Sequence, residues 1–440
     1  MKGLKNFLKI IIFCLLTAAV LLVLGRVLEN KASRFNKMPL YALKKQPDVI
    51  FVGASRMHNA VYPVRLWEKY GIASYNAASP GEQTGTTYYV MRQLLEDFSP
   101  KVMVFDLALV SGTDEISWSH EIGFIHESMD FMPLNKNKIE LAEKVAGYND
   151  MSPIAFLSRI YFYHERWKEL GREDFEEKFS REMGAELLTR VKKVRKIEAA
   201  EVSENPEALN SAGYVYLDKM MELCTEKGVK LVFVNLPYTK DTEKKQADEY
   251  TYMMEAGRRG HYSFDLLRNW GDKAPDNRYD FADPSHVNAV GAVKLTDVLG
   301  SYLITLPEVE DHRGDEAYSD WDASEADYLY FKADCANEAE SAKDFAMYAY
   351  GQDDWELKAY EGTEGLLAGD PEAEYVIQGC GATPLNASYM TEAEREYLGD
   401  RKYDKKISLF IEDRATGKIL AGNVYSPVRG SDFEEDEEDE

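Results

Sequence analysis

The chain has 440 residues, of which 45% are hydrophobic and 12% aromatic, and a formal net charge of −25. That length exceeds most single domains, and that apolar content supports a sizeable core, which excludes a chain disordered throughout. The charge is uneven: from Asp311 to Glu440 there are 34 Asp and Glu against 12 Lys and Arg, a net −22, so this third repels phosphate polymers and nucleic acid is excluded as its partner.

The N-terminus carries Lys2, Lys5 and Lys9, then an uninterrupted apolar run from Ile10 to Gly25. The run suits a membrane span extended by Phe7 and Leu8 and by a snorkelling Lys9. No small-x-small cleavage site follows directly, since Leu24-Gly25-Arg26-Val27-Leu28 is bulky and charged. We therefore expect residues 1–26 to be an uncleaved signal anchor rather than a cleaved signal peptide. The basic N-tail places the N-terminus in the cytoplasm and the bulk of the chain outside, although Arg26, Lys31, Arg34 and Lys37 follow the span. Phe13 before Cys14 argues against lipidation there.

Residues 27–47 read as a basic stalk, and from residue 48 strands and helices alternate. DVIFVG is a strand buried on both faces. Pro63 to Tyr70 is a helix, IASYN a short strand, and TGTTYYVMRQLLEDF an amphipathic helix with Tyr88, Met91, Leu94, Leu95 and Phe98 at helical spacing. KVMVFDLALV is another buried strand. Residues 111–205 break the rhythm and read as an aromatic-rich helical insertion. The alternation then resumes with a helix from Leu209 to Lys227, the strand KLVFVNLP, a helix from Asp241 to Arg258, the strand HYSFDLL, and a loop before a helix starting near Asn288. This pattern predicts an α/β fold, a flavodoxin-like three-layer sandwich around a parallel sheet spanning 48–306. Over 315–430 the short runs YLYFKAD, FAMYAYG, WELKAY, EYVIQG, KISLFIED and KILAGNVYSP predict a β-sandwich-like accessory domain. The block at 431–440 is acidic and is expected to be a disordered tail.

Three short pieces follow strands, where open α/β sheets place their sites. They are Gly53-Ala54-Ser55, the stretch from Asn76 to Gly81, and Asp283-Pro284-Ser285-His286. A serine needs a base to become a nucleophile, and the base needs an orienting carboxylate. Asp283 and His286, three apart in one loop, can point at a common place. Gly81 has no Cβ to shield its N–H and suits an oxyanion donor, with the Ser55 N–H as a second.

Together these pieces resemble the GDSL/SGNH hydrolase superfamily. That superfamily has a Gly-x-Ser turn after the first strand, a glycine five residues beyond an asparagine after the second, and an Asp-x-x-His before the last helix. The resemblance covers about residues 48–305. VGASRMHNAVYP, DPSHVNAVGAVKLTDVLGSYL and the anchor look closest to the extracytoplasmic, membrane-anchored branch acting in D-alanine transfer onto teichoic acids and polysaccharide O-acetylation. The resemblance implies hydrolysis or transfer of acyl groups on a cell-envelope glycan or acylated polymer through acyl-Ser55. No cofactor is expected, and a multispanning membrane acyltransferase stays open as a further partner.

One departure stands out. The superfamily has Gly-x-Asn-Asp after the third strand, its Asn a further oxyanion donor, whereas VFDLALVSGTDE has no Asn. Ser111 or a backbone N–H is the available substitute. Losing one such donor costs about 2.7–4 kcal/mol of transition-state stabilisation. The alternative is therefore a catalytically degenerate envelope scaffold or glycan-binding protein.

Arg56 and Asn76 are candidate substrate contacts, with a structural role for Arg56 equally open. His58 reads as a loop histidine and Asp106 as a paired structural carboxylate. His120 and His126, with Glu121 and Glu127, have the wrong spacing for one helix face, so no metal site is expected. Met220-Met221 and Tyr161-Phe162-Tyr163 read as core, as do Trp321 and Trp355 in preference to sugar-stacking platforms. Cys14 and Cys224 read as buried thiols, while Cys335 and Cys380 either pair or stay free.

Overall fold

The computed structural model describes residues 2–29, 37–107, 110, 118–175 and 182–427. Among them, the buried aliphatic runs form β1 (Val49–Val52), β2 (Ser74–Asn76), β3 (Val102–Asp106), β4 (Lys230–Val234) and β5 (Tyr262–Phe264). They make one parallel sheet in the order β2-β1-β3-β4-β5. Alternate residues feed opposite faces, as the period of two requires. Ile50, Val52, Met103, Phe105, Leu231 and Phe233 join one core with the helices Thr84–Asp97 and Ala212–Lys227. Val49, Phe51, Val102, Val104, Val232 and Val234 join the other with the helix Ala289–Leu303. Helices thus cover both faces, which is why these strands read as continuous apolar runs rather than alternating ones.

The insertion is only partly helical, a correction to the expectation for 111–205. Helices Ile122–Met129, Lys136–Tyr148, Ile154–Leu157 and Arg159–Tyr163 form, but 185–205 has no helix. Its backbone hydrogen bonds go elsewhere. Lys192 N–H donates to Phe281 O, Val194 N–H to Asn277 O, and Leu188 O accepts from Ala289 N–H, each at 2.8 Å. The segment lies as an extended strap along the loop that carries Asp283 and His286. Residues 111–117 and 176–181, like 431–440, are outside the described residues.

The C-terminal region is not a sandwich. A hairpin of β6 (Phe281–Asp283) and β7 (His286–Val287) precedes the last α/β helix; beyond it come β8 (Trp355–Glu361), β9 (Leu385–Asn386), β10 (Ile407–Asp413) and β11 (Ile419–Tyr425). The last four form one mixed sheet, β11-β10-β8-β9. YLYFKAD lies in the helix Ser319–Glu338, FAMYAYG largely in Ala342–Ala349, and EYVIQG in Pro371–Gly379. Ala and Glu, both strong helix formers, flank these runs, and their apolar residues pack on the sheet at helical spacing. Trp321 and Trp355 are buried, as expected of core residues.

The N-terminal helix Lys2–Leu28 is long and apolar enough over Leu4–Leu28 to cross a membrane, with mean hydropathy 2.9. Anchors and signal sequences share that pattern. The later part of the expected stalk is packed into the α/β unit: Leu40 is buried in the turn Met38–Ala42, and the buried Lys37 bonds Ser79 Oγ and Glu82 Oε2. Cys224 is buried, whereas Cys14 is exposed along the apolar helix, and Cys335 and Cys380 are both free thiols.

Candidate active site

β1 ends in a turn that presents Ser55. Gly53 adopts φ +127°, a conformation side-chain-bearing residues rarely take. Ala54 is extended, and Ser55 opens the six-residue helix Ser55–Ala60. β1 lies between β2 and β3, where the strand order reverses, so Ser55 stands at the crevice beyond the strands' carboxyl ends.

The partner loop comes from the far end of the domain. Asn288 caps the helix Ala289–Leu303 through Oδ1, which accepts from Val290 and Gly291 N–H, and its Nδ2 donates to Tyr279 O. That cap anchors the β6–β7 hairpin. His286 Nε2 lies 2.7 Å from Ser55 Oγ, and His286 Nδ1 lies 2.9 Å from both carboxylate oxygens of Asp283. Asp283 Oδ1 also accepts from the backbone N–H of Ser285 and His286 at 2.8 and 3.1 Å. Partial burial alone would raise the Asp283 carboxyl. The N–H of Ser285 and the His286 side chain and N–H outweigh it and hold the group below the ordinary carboxylate range.

No protein-family model matches the chain, and no curated protein does. A solved structure from Bacteroides fragilis, described as a candidate acylhydrolase, is similar at 12% identity with a TM-score of 0.32, covering 63% of this chain and 98% of its own. With so low a score, any functional reading rests on the side-chain geometry alone.

The strap supplies residues the sequence did not mark. Arg190 Nε donates to Ala282 O at 2.8 Å, and its Nη2 reaches Asp283 Oδ2 at 3.1 Å. Glu186 Oε2 sits 3.5 Å from His58 Nε2, and its carboxyl is held low by the hydrogen bond from His58, with smaller help from Asn59 and His286. His58 is therefore on the nucleophile's own helix and not in a loop. RVKKVRK offers no local signal for this, because its long-range role depends on where the strap lies.

Gly81 has φ +64°, and a Cβ there would meet Phe124 Cδ2 at 2.2 Å. Its loop is tied to the nucleophile turn by Ser79 N–H donating to Gly53 O at 3.0 Å. Asn76, expected at the substrate, is instead fully buried. Its Nδ2 donates to Met57 O and Val61 O at 2.9 Å, and its Oδ1 accepts from Ala78 N–H at 3.2 Å, so its groups are consumed in fixing the helix after Ser55. Arg56 is likewise turned inward: it is 3% exposed, ion-paired with Asp106 and stacked over Tyr238, 4.8 Å from the ring centroid. This corrects its expected contact with substrate in favour of the structural role. Asp106 is paired as expected, its Oδ1 also accepting from Leu236 N–H.

His126 is buried against Asp130 and Ala155 O, while His120 faces Asn149. Among the described residues no cluster of His, Cys, Asp and Glu is arranged to hold a metal ion. Ser111, the possible stand-in for the absent Asn, lies outside the described residues.

Proposed function

We propose that this protein is a membrane-anchored, extracytoplasmic serine esterase or O-acyltransferase of the SGNH type, acting on acyl groups of a cell-envelope polysaccharide or teichoic-acid-like polymer. The observation that carries this reading is the unbroken chain Ser55–His286–Asp283. It has the contacts of a nucleophile, a general base and the carboxylate that orients the base.

In the proposed reaction Ser55 Oγ attacks the ester carbonyl carbon as His286 Nε2 takes its proton. Asp283 holds the Nδ1–H and stabilises the imidazolium. The oxyanion accepts hydrogen bonds from the backbone N–H groups of Ser55 and Gly81. Collapse breaks the bond to the alcohol, which takes the proton from His286 and leaves acyl-Ser55. Water or a sugar hydroxyl then gives its proton to His286 and attacks the acyl carbon, releasing acid or a transferred ester and restoring Ser55.

Labelling with a fluorophosphonate and turnover of p-nitrophenyl acetate test the proposal. The wild type reacts and Ser55→Ala does not. Undiminished labelling of Ser55→Ala, or inertness of the wild type to both reagents, overturns it.

A further inference from the structure

The apolar run of the N-terminal helix ends at Gly25, and Arg26 and Glu29 follow. On the anchoring proposed above, on which this inference rests, the chain passes there from hydrocarbon to headgroups. That end of the helix is packed against the insertion. Arg159 Nε pairs with Glu29 Oε2 at 2.6 Å, and Arg166 Nη1 donates to the carbonyls of Leu28 and Glu29 at 2.9 and 2.6 Å. A Cβ on Gly25 would touch Arg159 Cβ at 3.4 Å. Residues 154–175 are therefore pinned at the depth where the helix leaves the bilayer.

From this segment Tyr161, Trp167 and Phe175 project with 55, 65 and 67% of their surface exposed, and Ile154 is also open. The expectation that Tyr161 is core does not hold, although Tyr163 beside it is buried. Large exposed rings have no core to serve here, whereas Trp and Tyr concentrate at membrane–water interfaces, their rings apolar and their N–H or O–H wet. From Arg159 to Phe175 the chain carries four basic and four acidic residues. Attraction to anionic lipid is thus balanced out, leaving ring burial as the favourable contribution.

We infer that residues 154–175 rest in the outer interfacial zone of the phospholipid bilayer, as a second membrane contact beside the anchor helix. Two contacts fix how the domain stands on the membrane, where a single tether would let it swing.

The full chain in phosphatidylcholine nanodiscs with brominated acyl chains tests this. Trp67, Trp118, Trp321 and Trp355 are buried and Trp270 is half-buried against the core that holds Val49 and Phe51, which leaves Trp167 the most exposed tryptophan and the main target of contact quenching by lipid. Brominated lipid should lower the wild-type tryptophan emission, and Trp167→Phe, which keeps a ring in place, should remove most of that loss. If the chain co-elutes with the discs but Trp167→Phe is quenched as strongly as wild type, the interfacial contact is overturned and the anchor stands. If the chain does not enter the discs, the anchor reading fails and this inference with it.

Discussion

His286 Nε2 and Ser55 Oγ stand 2.7 Å apart although 231 positions separate them in the chain. The contact is supported by packing between the two helices that follow these residues. Thr296 Oγ1 donates to Ala60 O at 3.2 Å and accepts from Tyr62 N–H at 3.1 Å, which ties the end of the nucleophile's helix to the helix behind His286. Arg65 and Asp297 add an ion pair at 2.9 Å between the same two regions. Core packing and these polar ties hold the pair at hydrogen-bonding distance.

Asp283→Asn is expected to keep the fold and to slow ester turnover by about 10⁴-fold, because the imidazole loses the carboxylate that fixes its tautomer and stabilises its charge. Steady-state kinetics with p-nitrophenyl acetate, alongside a thermal melt, check this. A loss of only a few-fold would remove Asp283 from the triad.

Arg190→Ala deletes a positive charge beside the Asp283–His286 pair. Asp283 is then held less firmly against His286, so kcat for p-nitrophenyl acetate should fall by a few-fold with KM little changed. Arg190 is largely exposed, which keeps the effect small. Arg190→Lys should restore part of it, and an unchanged kcat would show that Arg190 only braces the strap.

Gly81→Ala meets two obstacles, the positive φ and the Phe124 ring. The backbone strain alone is about 1–2 kcal/mol. Chemical denaturation should show a larger loss than that for the single variant. In the Phe124→Ala background, adding Gly81→Ala should cost only the strain.

Asn76→Ala takes the amide donor away from the carbonyls of Met57 and Val61 in a buried place. Urea unfolding should show a loss of about 3 kcal/mol, since each buried unsatisfied group costs about 1–3 kcal/mol. Unchanged stability with a raised KM would instead return Asn76 to the substrate.

Asp297 pairs with Arg65 and Lys69. Burial raises its carboxyl, but the hydrogen bonds and charges of Arg65 and Lys69 prevail and hold it below its ordinary value of 3.8. Its stabilisation is therefore fully present above that value and lost as pH falls through the lower, folded-state one. Asp297→Asn should destabilise by about 3 kcal/mol at neutral pH by leaving buried Arg65 underpaired. The gap to wild type should narrow below pH about 4, as unfolding followed by circular dichroism across pH would show.

VIFV, VMVF and LVFV are apolar at every position, and only burial on both faces makes such runs stable, so the parallel sheet and its covering helices were legible along the chain. The Gly-x-Ser turn and the Asp-x-x-His loop were legible too, because their geometry is local: a turn and a three-residue spacing before a helix. What the chain left open is whatever depends on where distant segments meet. Residues 185–205 have helix-forming composition, yet their backbone groups bond the loop of Asp283, and only that contact brings Arg190 to the carboxylate. Asn76 and Arg56 are polar residues near a site by position, but whether such a side chain faces a crevice or a core is decided by packing. The aromatic runs after Pro307 suit strand or helix equally, and the single mixed sheet that formed had room for only some of them. Periodicity reports which face of an element is apolar; the partner that covers that face is settled by the tertiary fold, through the apolar area it buries and the polar groups it satisfies.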